Sequence, residues 1–200
     1  MEDQEILSEI KRTLDIEADS IRKLEETIDE KSLLNVVKAF TNCKGRIVFS
    51  GCGTSAMAAK KVVHSLCCIE CPAIFLTPSD AVHGALGTLQ KGDILVLISK
   101  GGNTAELCRM IPACKTKEVI LICVSENSDS AIGSEADIML RIKVDHEPCP
   151  FNMLATASTL AVIAVFDAIC IALMGYTHYT REQFAVIHPG GAVGERLLSK

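Results

Sequence analysis

Five short segments, each apolar on both faces, constrain this chain more than any other feature. They read "RIVFS" from residue 46, "AIFLT" from 73, "ILVLIS" from 94, "VILICV" from 119 and "IMLRIKV" from 138. A strand with one wet face alternates apolar and polar residues; these barely alternate, so both faces must be covered. Helical patterns stand between them, over Ser55–Leu66, Thr104–Ala113 and Asp129–Glu135. Strands alternating with helices through right-handed crossovers make a parallel sheet covered on both sides, with ligands gathering at the carboxyl ends of the strands. The predicted class is α/β, a three-layer sandwich with a five-stranded parallel sheet flanked by helices.

A helical arm precedes the sheet. Leu7, Ile10, Leu14, Ala18, Ile21, Leu24 and Ile28 recur at three- and four-residue steps, which predicts one amphipathic helix over residues 2 to 30. A second helix is expected over Ser32–Phe40. The stripe must cover something, either the rest of the chain or another subunit. We expect one domain over residues 1–200, with residues 1–42 as helices packing on it or on a partner.

Late in the chain, "LATASTLAVIAVFDAICIALMGY" (154–176) is long enough to span a bilayer. Asp167 at its middle costs roughly 2.5 to 3.5 kcal/mol against insertion. Thr156, Ser158 and Thr159 add hydroxyls, and basic flanks are missing. A buried central helix or an oligomer interface is the expectation, with no membrane contact.

Composition excludes other classes. A net charge of −5 without a basic block argues against a nucleic-acid surface. Ten cysteines invite a disulfide framework, but Cys108, Cys123 and Cys170 lie inside apolar runs, where a thiol behaves as a small hydrophobe. The opening "MEDQEILSEI" is acidic and unlike a signal peptide, so a reducing cytoplasm is expected. Cys68 and Cys71 have C-x-x-C spacing with Cys67 adjacent, yet zinc needs about four ligands and no second pair is clustered. No metal and no organic cofactor are expected.

Chemistry concentrates at the predicted strand ends. In "SGCGTSA" (50–56), Gly51, Gly53 and Ala56 satisfy G-x-G-x-x-A, a dinucleotide spacing. "ISKGGNTAEL" (98–107) repeats the device: Ser99, a Gly101-Gly102 turn, then Thr104 at a helix start. Helix N-termini attract anions, glycine lets the backbone come close, and hydroxyls add neutral donors. Ordinary capping explains one such turn. Two on neighbouring strands, with no acid on the second strand for a ribose, favour one phosphomonoester over a dinucleotide. The residues expected to hold it are Gly53, Thr54 and Ser55 on the first turn and Ser99, Lys100 and Thr104 on the second. His83 in "DAVHGALG", His146 and Glu147 in "KVDHEPCP", His188 in "AVIHPGGAVGERLL", and Glu106 supply imidazoles and carboxylates for proton transfer.

"SGCGTS", "ISKGGNTAE", "VHGALG", "HEPCP" and "HPGGAVGERLL" together resemble the sugar isomerase (SIS) domain, and within it the arabinose-5-phosphate isomerase branch, from about residue 5 to the last. The resemblance implies a dimer-of-dimers homotetramer in which His188 reaches a neighbouring subunit's site. It also implies phosphate held by Ser55, Ser99 and Thr104, and catalysis by Glu106, Glu147, His83 and His188. The chain departs from that branch in lacking its lysine at Thr54 and its Asp at Ala85, and most members carry serine at Gly101 and glutamate at Asn103. Thr54 and Ser55 look instead like the first turn of the glucosamine-6-phosphate synthase isomerase domain. Paired CBS domains usually follow; none is expected here, since the sequence stops at Lys200. The expected activity is aldose–ketose isomerisation of a phosphosugar through an enediol, as between ribulose 5-phosphate and arabinose 5-phosphate, with Glu147 or Glu106 as the base. The alternative is a phosphosugar-binding sensor without catalysis; a purely structural protein would have no use for two phosphate turns.

Overall fold

The apolar segments become β1 (Ile47–Gly51), β2 (Ala73–Phe75), β3 (Ile94–Ile98), β4 (Ile120–Ser125) and β5 (Ile138–Arg141) in a computed structural model that describes residues 2–190. All pairings are parallel, in the order β2-β1-β3-β4-β5. Phe49 stands opposite Phe75 on one side and Val96 on the other. The chain therefore leaves β1 first toward β2 and later toward β3, and the fold's topological switch lies between β1 and β3.

Alternation divides the core into two layers. Ile47, Phe49, Val96 and Ile122 face α2 (Glu30–Asn42), α3 (Gly53–Cys67) and α7 (Ala157–Thr177). Val48, Leu95, Leu97 and Leu121 face α4 (Pro78–Ala81), α5 (Ala105–Cys108) and α6 (Ile111–Thr116). Phe40, Phe49 and Phe166 meet on the first side with ring centroids 5.5 to 6.4 Å apart. Cys114, Cys123 and Cys170 are buried as small hydrophobes, and burial pushes the Cys123 thiol up to about 12. The membrane-length segment is the core helix α7: Ala161, Val165, Phe166, Ile169 and Leu173 are buried, while Asp167 pairs with Lys61 of α3.

Helix lengths differ from the periodic reading in three places. The arm breaks at Ile28–Asp29, giving α1 (Asp3–Thr27) and an earlier start to α2, because the Asp29 carboxylate accepts the Ser32 N–H at 2.8 Å. The 104–113 helix divides into α5 and α6, with Pro112 in the first turn of α6, where its missing N–H is tolerated. Residues 129–135 form a turn with only a 3₁₀ stretch at Gly133–Glu135. There Asn127 and Ser130 side chains accept the Asp129 and Gly133 N–H groups that a helix would need.

α1 packs its second half on α7, burying Ser20 and Leu24. Leu7, Ile10 and Leu14, which share its stripe, are 52, 51 and 59% exposed. α8 (Arg181–Ile187) ends the described chain, with His188 as its cap.

Candidate active site

The first turn leaves β1 at Gly51 and enters α3 through Gly53, whose φ of +57° is strained for any residue with a Cβ. Thr54 and Ser55 fall in the first turn of α3, and no side chain caps that helix. The second turn leaves β3 at Ser99. Gly102 has φ +70°, and a Cβ there would lie 2.0 Å from Ser130 Oγ, so glycine is required twice over. Ser99 Oγ accepts the Gly102 N–H at 3.1 Å and shares a 2.8 Å hydrogen bond with Thr104 Oγ1. Buried Ser99 and its partner Thr104 thus shape the turn from within.

Backbone bonds then join neighbouring strand ends. The Lys100 carbonyl accepts from Ser125 Oγ at 2.9 Å and from the Glu126 N–H at 3.0 Å. This aims the Lys100 side chain over the carboxyl edge of the sheet, where Glu147 meets it. Glu147 arrives on the segment between β5 and α7, only 1% exposed. Its Oε1 accepts from Lys100 Nζ at 2.6 Å and from Ser158 Oγ; its Oε2 accepts the N–H groups of Thr156 at 3.0 Å and Ser158 at 3.4 Å. Asn152 Oδ1 holds the Glu147 N–H at 2.6 Å. Burial by itself would raise this carboxyl, but the Lys100, Ser158 and Thr156 donors outweigh it and hold Glu147 below its ordinary range. The result is a buried, ionised carboxylate at the positive end of a 21-residue helix.

Between these parts lies a cleft of about 70 Å³. Thr54, Ser55, Lys100, Ser125, Glu126 and Ser158 give it polar walls, over an apolar floor of Ala58, Ile98, Val124 and Val162. Of the residues singled out from sequence, Thr54, Ser55 and Lys100 share the cleft and Glu147 lies against Lys100; Ser99 and Thr104 support it from behind. Gly53 stays exposed at the start of α3. Glu106 is exposed in the first turn of α5, close enough to the first turn that its charge adds to burial in raising the Cys52 thiol. His83 is exposed after α4, and His188 stacks on Phe184 with centroids 3.9 Å apart and Nδ1 2.9 Å from the Phe184 carbonyl. Neither imidazole lines the cleft of its own chain. Most of "HPGGAVGERLL", from residue 191 on, lies outside the described residues.

Three participants escape the sequence reading. Glu126 is an acid leaving a strand end, the same signal that exposes Glu147. Ser158 counts in sequence only as a hydroxyl inside an apolar run, and Asn152 carries no local signal.

The SIS domain family model matches residues 39–172. An arabinose 5-phosphate isomerase, KdsD of Yersinia pestis, is 37% identical over 188 residues, 94% of this chain and 57% of its own length. The chain thus spans about three-fifths of the curated relatives it matches. A crystal structure from Listeria monocytogenes, named provisionally as a sugar-phosphate isomerase, is 60% identical with a TM-score of 0.94, covering 95% of this chain and 100% of that one. A protein of Escherichia coli CFT073, solved in complex with arabinose 5-phosphate, is 28% identical with a TM-score of 0.90, covering 94% of this chain and 100% of that one.

Proposed function

The chain belongs to the SIS domain family, and on that premise we propose that it interconverts the aldose and ketose forms of a phosphorylated sugar. Its relatives suggest arabinose 5-phosphate as the aldose, and ribulose 5-phosphate is then the ketose of the pair. One observation carries the reading: a buried carboxylate, Glu147, kept ionised beside an ammonium at the edge of a cleft that also holds an uncapped helix N-terminus with two hydroxyls. The phosphate goes to Thr54, Ser55 and the first N–H groups of α3, where the helix dipole favours negative charge. The open-chain carbonyl then lies toward Glu147 and Lys100.

Glu147 takes the proton from the carbon next to that carbonyl and returns it to the neighbouring carbon. As the base accepts this proton, the Lys100 ammonium turns from the carboxylate to the developing enediolate oxygen, giving charge stabilisation where charge forms. Lys100 brings an ammonium into the cleft that Thr54 lines, the position at which the resembling branch carries lysine. Glu106 stands as a second carboxylate at the edge of the site. His83 and, reaching in from another subunit, His188 open the sugar ring, within a homo-oligomer whose exposed α1 stripe supplies contact surface and whose cysteine usage suits the cytoplasm. No cofactor enters this chemistry.

Turnover is tested by offering arabinose 5-phosphate, ribulose 5-phosphate and fructose 6-phosphate and following ketose formation. The expected result is conversion of one ester, lost in Glu147→Gln. Tight binding of an ester without conversion would instead establish a sensor. Mixing His188→Ala and Glu147→Ala proteins, each inactive alone, should restore part of the activity if sites are shared; hybrid oligomers that stay inactive would end that model.

A further inference from the structure

Glu126 is the one charged residue of the cleft that the mechanism above leaves unused. It follows β4 directly, and its backbone is held on both sides: its N–H donates to the Lys100 carbonyl at 3.0 Å, and its carbonyl accepts from Arg141 Nε at 3.0 Å. Its side chain is therefore aimed by the sheet rather than free to drift. Oε1 is buried and has no hydrogen-bond partner among the described residues. The nearest cation, Lys100 Nζ, lies 4.0 Å away, beyond hydrogen-bond reach, and is committed to Glu147 at 2.6 Å. A buried acceptor left without a donor is costly and uncommon.

We propose that Glu126 is a specificity-determining residue whose carboxylate accepts a hydrogen bond from a hydroxyl of the sugar bound in this cleft. This rests on the reading of the cleft as a phosphosugar site. Charge decides which end of the ligand meets it. A phosphate beside Glu126 would face two carboxylates that share one ammonium, so the anionic end belongs at Thr54, Ser55 and the α3 N-terminus. The opposite end of a phosphosugar carries neutral hydroxyls, which donate to a carboxylate without adding charge. Burial pushes the Glu126 carboxyl up, helped by the charge of Glu147 and against the pull of Lys100, the Val144 N–H and Lys143, and its Oε1 is left without a donor. A bound hydroxyl supplies that donor.

Calorimetric titration of the full chain tests the assignment with arabinose 5-phosphate, its mono-deoxy analogues and inorganic phosphate. Glu126→Ala should weaken the sugar ester about tenfold or more while leaving inorganic phosphate within about twofold. Glu126→Gln, which keeps an acceptor oxygen, should lose less, and it stands in if the alanine variant fails to fold. One mono-deoxy ester should bind wild type more weakly than the parent yet bind Glu126→Ala as well as the parent does. The proposal is overturned if ester affinity is unchanged in both variants, or if ester and inorganic phosphate weaken together. Wild-type protein that binds no sugar phosphate at all would overturn the cleft reading itself, and this inference with it.

Discussion

The cleft at the carboxyl ends of β1, β3 and β4 encloses about 70 Å³, and seven of its lining residues are charged or carry hydroxyls. The groove between α1, α2 and α7 encloses about 440 Å³, and among its lining residues only Glu25 is charged. In the first, polar groups are spent on one another: Lys100, Ser158 and two backbone N–H groups converge on Glu147. In the second, Ile21, Leu33, Leu34 and Val37 face aliphatic α7 residues, and the line continues along α1 to exposed Leu14, Ile10 and Leu7. A small site with fixed polar groups suits orientation and proton transfer. A long apolar surface suits association, since monomers seldom leave such stripes in water. The two regions share α7, whose first turn holds Glu147 and whose middle lines the groove.

That division can be broken most severely at Glu147. Glu147→Gln keeps the shape and removes the base, so turnover should fall by about 10²- to 10⁴-fold while the protein still folds. Ketose formation measures the first and thermal unfolding the second; unchanged turnover would move the base elsewhere, with Glu106 the next to replace.

The apolar side is tested by Ile10→Asp with Leu14→Asp. Buried apolar anchors at an interface are worth about 2 kcal/mol or more each, so light scattering should show a smaller assembly of folded chains. If His188 serves a neighbour's site, activity should fall with assembly. An unchanged mass would leave the stripe without a contact role.

Within the cleft, Ser55→Ala and Ser99→Ala should separate. Ser55 lines the cleft, so its loss should cost about 1.5–3 kcal/mol of affinity for the ester. Ser99 is tied to Gly102 and Thr104, so its loss should lower the unfolding temperature, with a smaller effect on binding of about 1 kcal/mol. The reverse pattern, read by calorimetry and thermal unfolding, would exchange their roles.

The smallest effect is on stability in acid. Glu147 titrates below its ordinary 4.5 in the folded chain, so its contribution is complete above that pH and is lost as pH falls through the lower native value. The unfolding temperature of wild type should exceed that of Glu147→Gln above pH 4.5, with the gap closing on acidification. A gap that widens in acid would mean that Glu147 is not held ionised.

Much of this was legible before folding. The five strands and the two glycine turns are local patterns; Thr54 and Ser55 are read from the first turn, and Glu147 from the segment beyond the fifth strand. Roles within the site were less legible. Lys100 reads in sequence as a phosphate ligand, yet its ammonium is bound to a carboxylate 47 positions away. Ser99 and Thr104 read as ligands too, and the turn uses both hydroxyls internally. Helix ends also escaped, because Asp29, Asn127 and Ser130 compete for backbone N–H groups by side-chain contacts that periodicity does not register.

The sequence by itself determined the α/β class, since strands apolar on both faces fold only with helices above and below them. It also determined the glycine turns, since few other residues tolerate the backbone they require. Only the tertiary structure decided that Lys100, Glu126 and Glu147 share one place. Strand order sets β4 beside β3 and β5 beside β4, which brings three segments from different parts of the chain to one edge. Local periods of 2 and 3.6 residues specify which face a side chain takes. The partner across that face, and whether water is excluded between them, depends on strand register and burial, which no local stretch of sequence contains.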